Sequence, residues 1–208
     1  YLETEYSITV NVNKVDFEVI NESAVENIDF GLVINSAAVK NPDFLKRLVH
    51  IYGASTISVN IETAQINGKF KVFIETGRVN TDIDLHAWID QIQECNVGEI
   101  IVTDIASEGK GKGYNIELFK DLRKRIDSQL VAHGGAGPKE NILDLFKNCD
   151  VDAISVASLF HYHYLKADKK SELKGSNYFI HFLDEKEKRG TSIIELKKYL
   201  IDNGVKVR

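Results

Sequence analysis

Methionine is absent from the 208 residues, cysteine and proline occur twice each, and tryptophan occurs once. Also absent is any run near the roughly 20 apolar residues that a bilayer span requires, so no membrane partner is expected. No secretory signal pattern opens the chain, which begins at Tyr1. Cys95 and Cys149 stand far apart, without metal-ligand spacing. They read as inert, half-buried thiols of a reduced protein, and a cytoplasmic location is expected. Basic excess is missing too. The net charge of -5 gives no electrostatic reason to expect nucleic acid. His161, His163 and Tyr164 imitate metal-ligand spacing, but no carboxylate accompanies them, so no metal is expected.

What is present is alternation. Short apolar, β-branched runs mark strands at Ile8–Val12, Leu32–Ile34, Thr56–Ile61, Glu99–Thr103, Gln129–Ala132 and Ala153–Val156. Between several of them the apolar spacing is helical: Phe44, Leu45, Leu48 and Val49; then Leu85, Trp88, Ile89 and Ile92. Ile116, Leu118, Phe119 and Leu122 form a third such face, and Ile142, Leu143 and Phe146 a fourth. Asn41-Pro42 suits a helix start. Near-continuous apolar strands alternating with helices imply a parallel sheet covered on both faces, closed as a barrel or left open. Asn67-Gly68 within Gln65–Phe73 predicts an inserted hairpin. The charged segment 166–189 lacks a clean period and reads as an insertion before a closing helix, Ser192–Asp202.

The stretch with most chemistry is His133-Gly134-Gly135-Ala136-Gly137-Pro138, which follows an apolar strand and precedes a helix. Glycines there let the backbone approach a ligand, and the next helix's positive end attracts an anion. About 20 residues on, Val156-Ala157-Ser158 ends another strand with small residues and a hydroxyl. One glycine-rich turn alone is commonly only a tight turn. Two successive strand–helix loops of this kind form the recurrent phosphate site of (β/α) barrels. His133 reads either as a base or ligand contact, or as a histidine hydrogen-bonded within its loop. Lys110 and Lys112, in the glycine loop Gly109–Gly113, read either as a phosphate cover or as solvated loop lysines.

Several motifs then agree in order with one known family. Ile34-Asn35-Ser36-Ala37-Ala38-Val39, Asn67-Gly68-Lys69-Phe70, Gly98 to Thr103, Gly109 to Tyr114, Gly134 to Gly137 and Ala157 to His161 resemble the cyclase subunit of imidazole glycerol phosphate synthase. So does the closing Glu195–Leu200 with Gly204–Arg208. The resemblance implies an α/β fold, a (β/α)8 TIM-type barrel, forming a single domain over residues 1–208. It implies a lyase-type cyclase that joins ammonia, supplied by a glutaminase partner, to a phosphorylated ribulosyl-carboxamide nucleotide, with no cofactor. Carried over, Gly134, Gly135, Gly137, Ala157 and Ser158 would hold one phosphate, and Asn35 and Ser36 the other.

The departures shape the expectations too. The family's first two strands have no counterpart, so the chain is expected to start near its strand three. One family aspartate sits on the first strand. The second is expected in a Ser-Ile-Asp run that here reads Asp104-Ile105-Ala106. Ala106 cannot transfer a proton. Asp104, two residues earlier, would face the same side of a strand and is the candidate acid–base residue. Asn11-Val12-Asn13-Lys14 stands where the family has a glycine-rich turn. These losses keep open two other roles: a paralogue passing ammonia to a third enzyme in surface-glycan (amidino sugar) biosynthesis, or a phosphate-binding barrel without activity.

Overall fold

A computed structural model describes residues 8–12, 30–167 and 190–207, and in it the chain divides into two compact units. The first comprises Tyr1–Thr103 with Lys124–Val131, the second Asp104–Arg123 with Ala132–Arg208.

In the first unit, β1 (Ile8–Val12) runs parallel to β2 (Phe30–Ile34), pairing Ile8 with Phe30 and Val12 with Ile34. A short helix α1 (Ser36–Lys40) and the longer α2 (Pro42–Tyr52) carry the chain to β3 (Ile57–Ile66). β3 again lies parallel to β2. α2 starts where Pro42 needs no amide partner, and Asn41 caps it by accepting the Phe44 N–H at 3.3 Å. Its buried stripe is Phe44, Leu45 and Leu48, with Val49 half-buried at the edge.

β3 outruns the expected Thr56–Ile61 at its far end and starts one residue later, because Ala54–Thr56 form a 3-10 turn. Its extension pairs antiparallel with β4 (Lys69–Ile74) through the predicted hairpin. Asn67 and Gly68 both take positive φ, 49° and 80°, as a two-residue turn matched to strand twist requires. A further strand, β5 (Val79–Asp84), pairs antiparallel with β4. Its asparagine and two aspartates disguise it in the sequence. Asp82, at φ 59°, accompanies a register shift between Lys71 and Phe73. α3 (Leu85–Glu94) buries Leu85, Trp88, Ile89 and Ile92, as its period implies, and Asp84 caps it. With β6 (Glu99–Asp104) and β7 (Gln129–His133), the order is β1–β2–β3–β6–β7.

β3 shows why this sheet is more than a core. Ile57, Val59 and Ile61 are fully buried on one face. The alternate residues are polar. Ser58 Oγ donates to Glu99 Oε1 at 2.8 Å, and Asn60 Oδ1 accepts from Thr103 Oγ1 at 2.9 Å. Side-chain pairs of this kind satisfy polar groups that an apolar strand would not carry.

The second unit holds α4 (Ile116–Arg123), α5 (Lys139–Asn148), β8 (Ala153–Ser155), α6 (Ser158–Ala167) and α7 (Ile193–Asp202). α4 buries Leu118, Phe119 and Leu122. α5 buries Leu145 beside Ile142 and Leu143, and the expected Phe146 is only half-buried. α7 opens on a reciprocal cap: Glu195 N–H donates to Ser192 Oγ, and Ser192 N–H to Glu195 Oε2. Of the segment read as an insertion, Lys166 and Ala167 close α6, and residues 168–189 lie outside the described residues, as do Asn13 and Lys14. Among the described residues no helix is long and apolar enough to cross a membrane.

Candidate functional site

The glycine turn after β7 and the small-residue turn after β8 meet in one cleft of about 100 Å³ within the second unit. Its lining is Glu108 and Gly109, His133 to Ala136, and Ser155 to Ser158. Gly134 and Gly135 take φ 91° and 105°, conformations that L side chains rarely adopt. The glycines are also required by crowding. A Cβ on Gly135 would collide with the Gly113 carbonyl, and one on Gly137 with the Gly111 carbonyl. Ser158 brings the first turn of α6 to the cleft, and an anion there gains from the helix's positive end. Gly137 itself is not among the lining residues.

No lysine or arginine lines the cleft among the described residues. Lys110 and Lys112 are exposed, and their loop contributes Glu108 and Gly109 instead.

Asp104 is 2% exposed, yet it is not among the lining residues. Its carboxylate organises the turn that follows β6. Oδ1 accepts the Ala106 N–H at 3.1 Å, Oδ2 accepts the Ser107 hydroxyl at 2.7 Å, and its carbonyl accepts the Ser107 and Glu108 amides. The strand ends at Asp104, so Ala106 lies in the turn rather than two residues further along a strand face. A short polar side chain bonding the backbone two residues on is a turn-forming role in its own right.

Tyr114, after the same loop, is 7% exposed, and its ring meets Phe119 edge-on at 6.2 Å. Its hydroxyl has no hydrogen-bond partner among the described residues, and burial holds the phenol well above the ordinary tyrosine range.

In the first unit, Asn35 and Ser36 sit buried just past β2, at 8% and 7% exposure. Ser36 Oγ accepts the Glu75 N–H at 3.0 Å, while Asn35 Oδ1 is buried with no partner among the described residues. Sequence reasoning passed over Glu62, an 8% exposed carboxylate toward the end of β3. Its Oε2 accepts the Gly77 N–H at 2.9 Å. Ser36 and Glu62 therefore pin one turn, Glu75-Thr76-Gly77, whose three residues all have positive φ. Two of these are not glycine, which stores strain of the sort found at functional sites. Alternation could have found Glu62: it continues the polar series Ser58, Asn60 along β3. Among the described residues no group of three or more His, Cys, Asp or Glu could hold a metal ion.

Comparison with known proteins places the chain in a family. Residues 15–166 match the family described as "Histidine biosynthesis protein". The imidazole glycerol phosphate synthase subunit HisF of Bacillus cereus (strain Q1) is 34% identical over 146 residues, 69% of this chain and 58% of that protein. The Flavobacterium psychrophilum protein of the same name is 33% identical, covering 77% of this chain and 63% of its own length. That of Thermotoga sp. (strain RQ2) is 30% identical over 206 residues, 99% of this chain and 70% of its own. The chain thus spans about three fifths of the length of the first two relatives. By the extent of these matches the chain belongs to the histidine biosynthesis protein family, whose fold class is the (β/α)8 barrel, and it resembles that family's cyclase subunit.

Proposed function

We propose that the protein is a cyclase-type subunit of imidazole glycerol phosphate synthase, binding a phosphorylated nucleotide and using ammonia from a partner glutaminase. The observation that carries this reading is the glycine-built cleft, in a chain related over 99% of its length to a HisF subunit. Backbone amides around Gly134 and Gly135, with Ala157 and Ser158, hold one phosphate of the substrate, and Gly137 keeps the turn tight against the Gly111 carbonyl. Asn35 and Ser36, reaching from the end of β2, help hold another. Glycines give such a site close backbone approach, and the start of α6 supplies the favourable field.

Acid–base chemistry requires a positioned group within reach of the reacting atoms. Two carboxylates are buried among the described residues, Glu62 and Asp104. Both oxygens of Asp104 are engaged by Ala106 and Ser107, which suits a loop anchor. Glu62 bonds the protein through Oε2 alone among the described residues, so Oε1 is the oxygen available to a substrate proton. Glu62 is accordingly the first candidate acid–base group and Asp104 the second.

A second reading follows from Ala106 and the engaged Asp104: a paralogue that passes ammonia to another acceptor. One experiment separates them. The full-length protein, given ammonium salt and the ribulosyl-carboxamide nucleotide, cyclises it, and Glu62→Gln slows turnover by about 10²–10⁴-fold while ligand affinity holds. A loss on Asp104→Asn instead returns the role to Asp104. No cyclisation at any ammonium concentration, with stimulation of a glutaminase retained, supports the conduit.

A further inference from the structure

Ser36 opens α1 and Glu62 lies in β3, and among the described residues no hydrogen bond joins them directly. They meet instead through one turn. Ser36 Oγ accepts the Glu75 N–H at 3.0 Å, and Glu62 Oε2 accepts the Gly77 N–H at 2.9 Å. Between these two pins Thr76 holds φ 59°, with Glu75 at 56° and Gly77 at 73°. Gly77 adopts that region freely, but a β-branched residue there is an outlier. The turn is thus held against the preference of Thr76, and its closed form depends on both pins. Resting on the reading of Ser36 as a phosphate contact and Glu62 as the acid–base group, we propose that this turn is a positioning device. A substrate phosphate at Ser36 tightens it, and the tightened turn fixes Glu62. Thr76 is the positioning residue, because its strained backbone makes Glu62 depend on Ser36.

The hydroxyl supplies the link. A serine hydroxyl donates once and accepts through two lone pairs. Ser36 accepts from Glu75, and among the described residues its own O–H donates to nothing. A phosphate oxygen takes that proton. A hydroxyl that donates also accepts more strongly, because linked hydrogen bonds polarise one another. The bond to the Glu75 amide then tightens, and with it the turn that presents the Gly77 amide to Glu62. Glu62 is 8% exposed and holds the protein through Oε2 alone among the described residues, so losing Gly77 frees the whole carboxylate. Binding of a non-reacting phosphate thereby serves to orient the reacting group. The Lys40–Glu75 ion pair spans 2.9 Å but is more than half exposed at both ends, so it contributes little to the pinning. Thr76 Oγ1 donates to the adjoining Glu75 carbonyl, an exposed contact that reaches neither pin.

Amide exchange at Gly77, followed by NMR in the full chain, reads the turn. Turnover of the ribulosyl-carboxamide nucleotide with ammonium salt reads Glu62. Ser36→Ala should raise Gly77 exchange by about two- to tenfold, the worth of one neutral hydrogen bond. It should also raise KM and lower kcat. Adding Thr76→Gly relieves the strain, so the double variant should regain Gly77 protection and kcat but not KM. A serine that only binds phosphate, or only packs, gives no such split. Lys40→Gln should leave Gly77 exchange near the parent value, and thermal melts check that each variant is folded. Gly77 exchange equal in the parent and Ser36→Ala overturns the proposal. So does a double variant that regains protection without kcat. A parent that cyclises, with Ser36→Ala changing KM alone, overturns the role of the turn and leaves the cyclase reading standing. A parent that never cyclises overturns both.

Discussion

The amide of Gly113 donates to the carbonyl of Gly135 at 2.9 Å, tying the loop after β6 to the glycine turn after β7. The neighbouring backbones fit only because Gly135 has no side chain. A Cβ at Gly135 would strike the Gly113 carbonyl and approach Ser107 Cβ at 3.2 Å.

Gly135→Ala should therefore cost stability as well as ligand affinity. Its φ of 105° and the collision together predict a loss of roughly 2–4 kcal/mol. Chemical denaturation would show the midpoint shift. Ser158→Ala is the gentler probe of binding, since it removes a hydroxyl without forcing the backbone, and a Gly135→Ala chain of unchanged stability would refute the packing.

Much of this was legible in the sequence. Helical spacing located α2 and α3 with their buried faces, and Asn67-Gly68 located the hairpin, because both signals are local. β5 was not legible: Val79, Thr81 and Ile83 alternate, but Asn80, Asp82 and Asp84 hide them. Its partner β4 lies just before it in the chain, but those polar residues mask the alternation that would have marked a strand there. The loop glycines announced the cleft, since only close packing or positive φ explains so many together. Asp104 ends β6, one residue past the expected Glu99–Thr103, and its engagement with Ser107 depends on a turn that propensity does not resolve. Glu62 escaped because a charged residue in an apolar run reads as the run's end.

Asp104→Ala should loosen the turn from Ile105 to Glu108, since it removes the acceptor of the Ala106 amide and the Ser107 hydroxyl. A hydrogen bond to a charged group contributes about 1.5–3 kcal/mol, and a loss in that range is expected. Asp104→Asn keeps shape and one acceptor oxygen, so it should cost less. Hydrogen exchange at the Ala106 and Ser107 amides reads the effect directly. Exchange unchanged in Asp104→Ala would leave the carboxylate free for another task.

Tyr114→Phe should be neutral or stabilising by up to about 1 kcal/mol near pH 7, because the buried hydroxyl has no partner among the described residues to lose. The alkaline limb gives a second signature. Burial raises the Tyr114 phenol, and it likewise raises the Cys95 and Cys149 thiols. A group raised on folding binds its proton more tightly in the folded chain. The stability linked to it is complete below the unfolded value and is lost as pH rises through the folded one. Unfolding should therefore ease above pH 9, the ordinary thiol value, with the phenol adding its part above 10. Denaturation series at pH 8 to 11 should show a shallower decline for Tyr114→Phe than for the parent chain. Equal slopes would place the phenol in contact with water.

On the proposed function, the turns after β7 and β8 hold a substrate phosphate. Amide resonances followed by NMR, as a phosphate monoester is titrated into the full chain, test it most directly. Saturable shifts are expected at Gly134, Gly135, Ala157 and Ser158, weakened in Ser158→Ala and displaced by inorganic phosphate. A ligand that binds while those four amides stay where they were would contradict it.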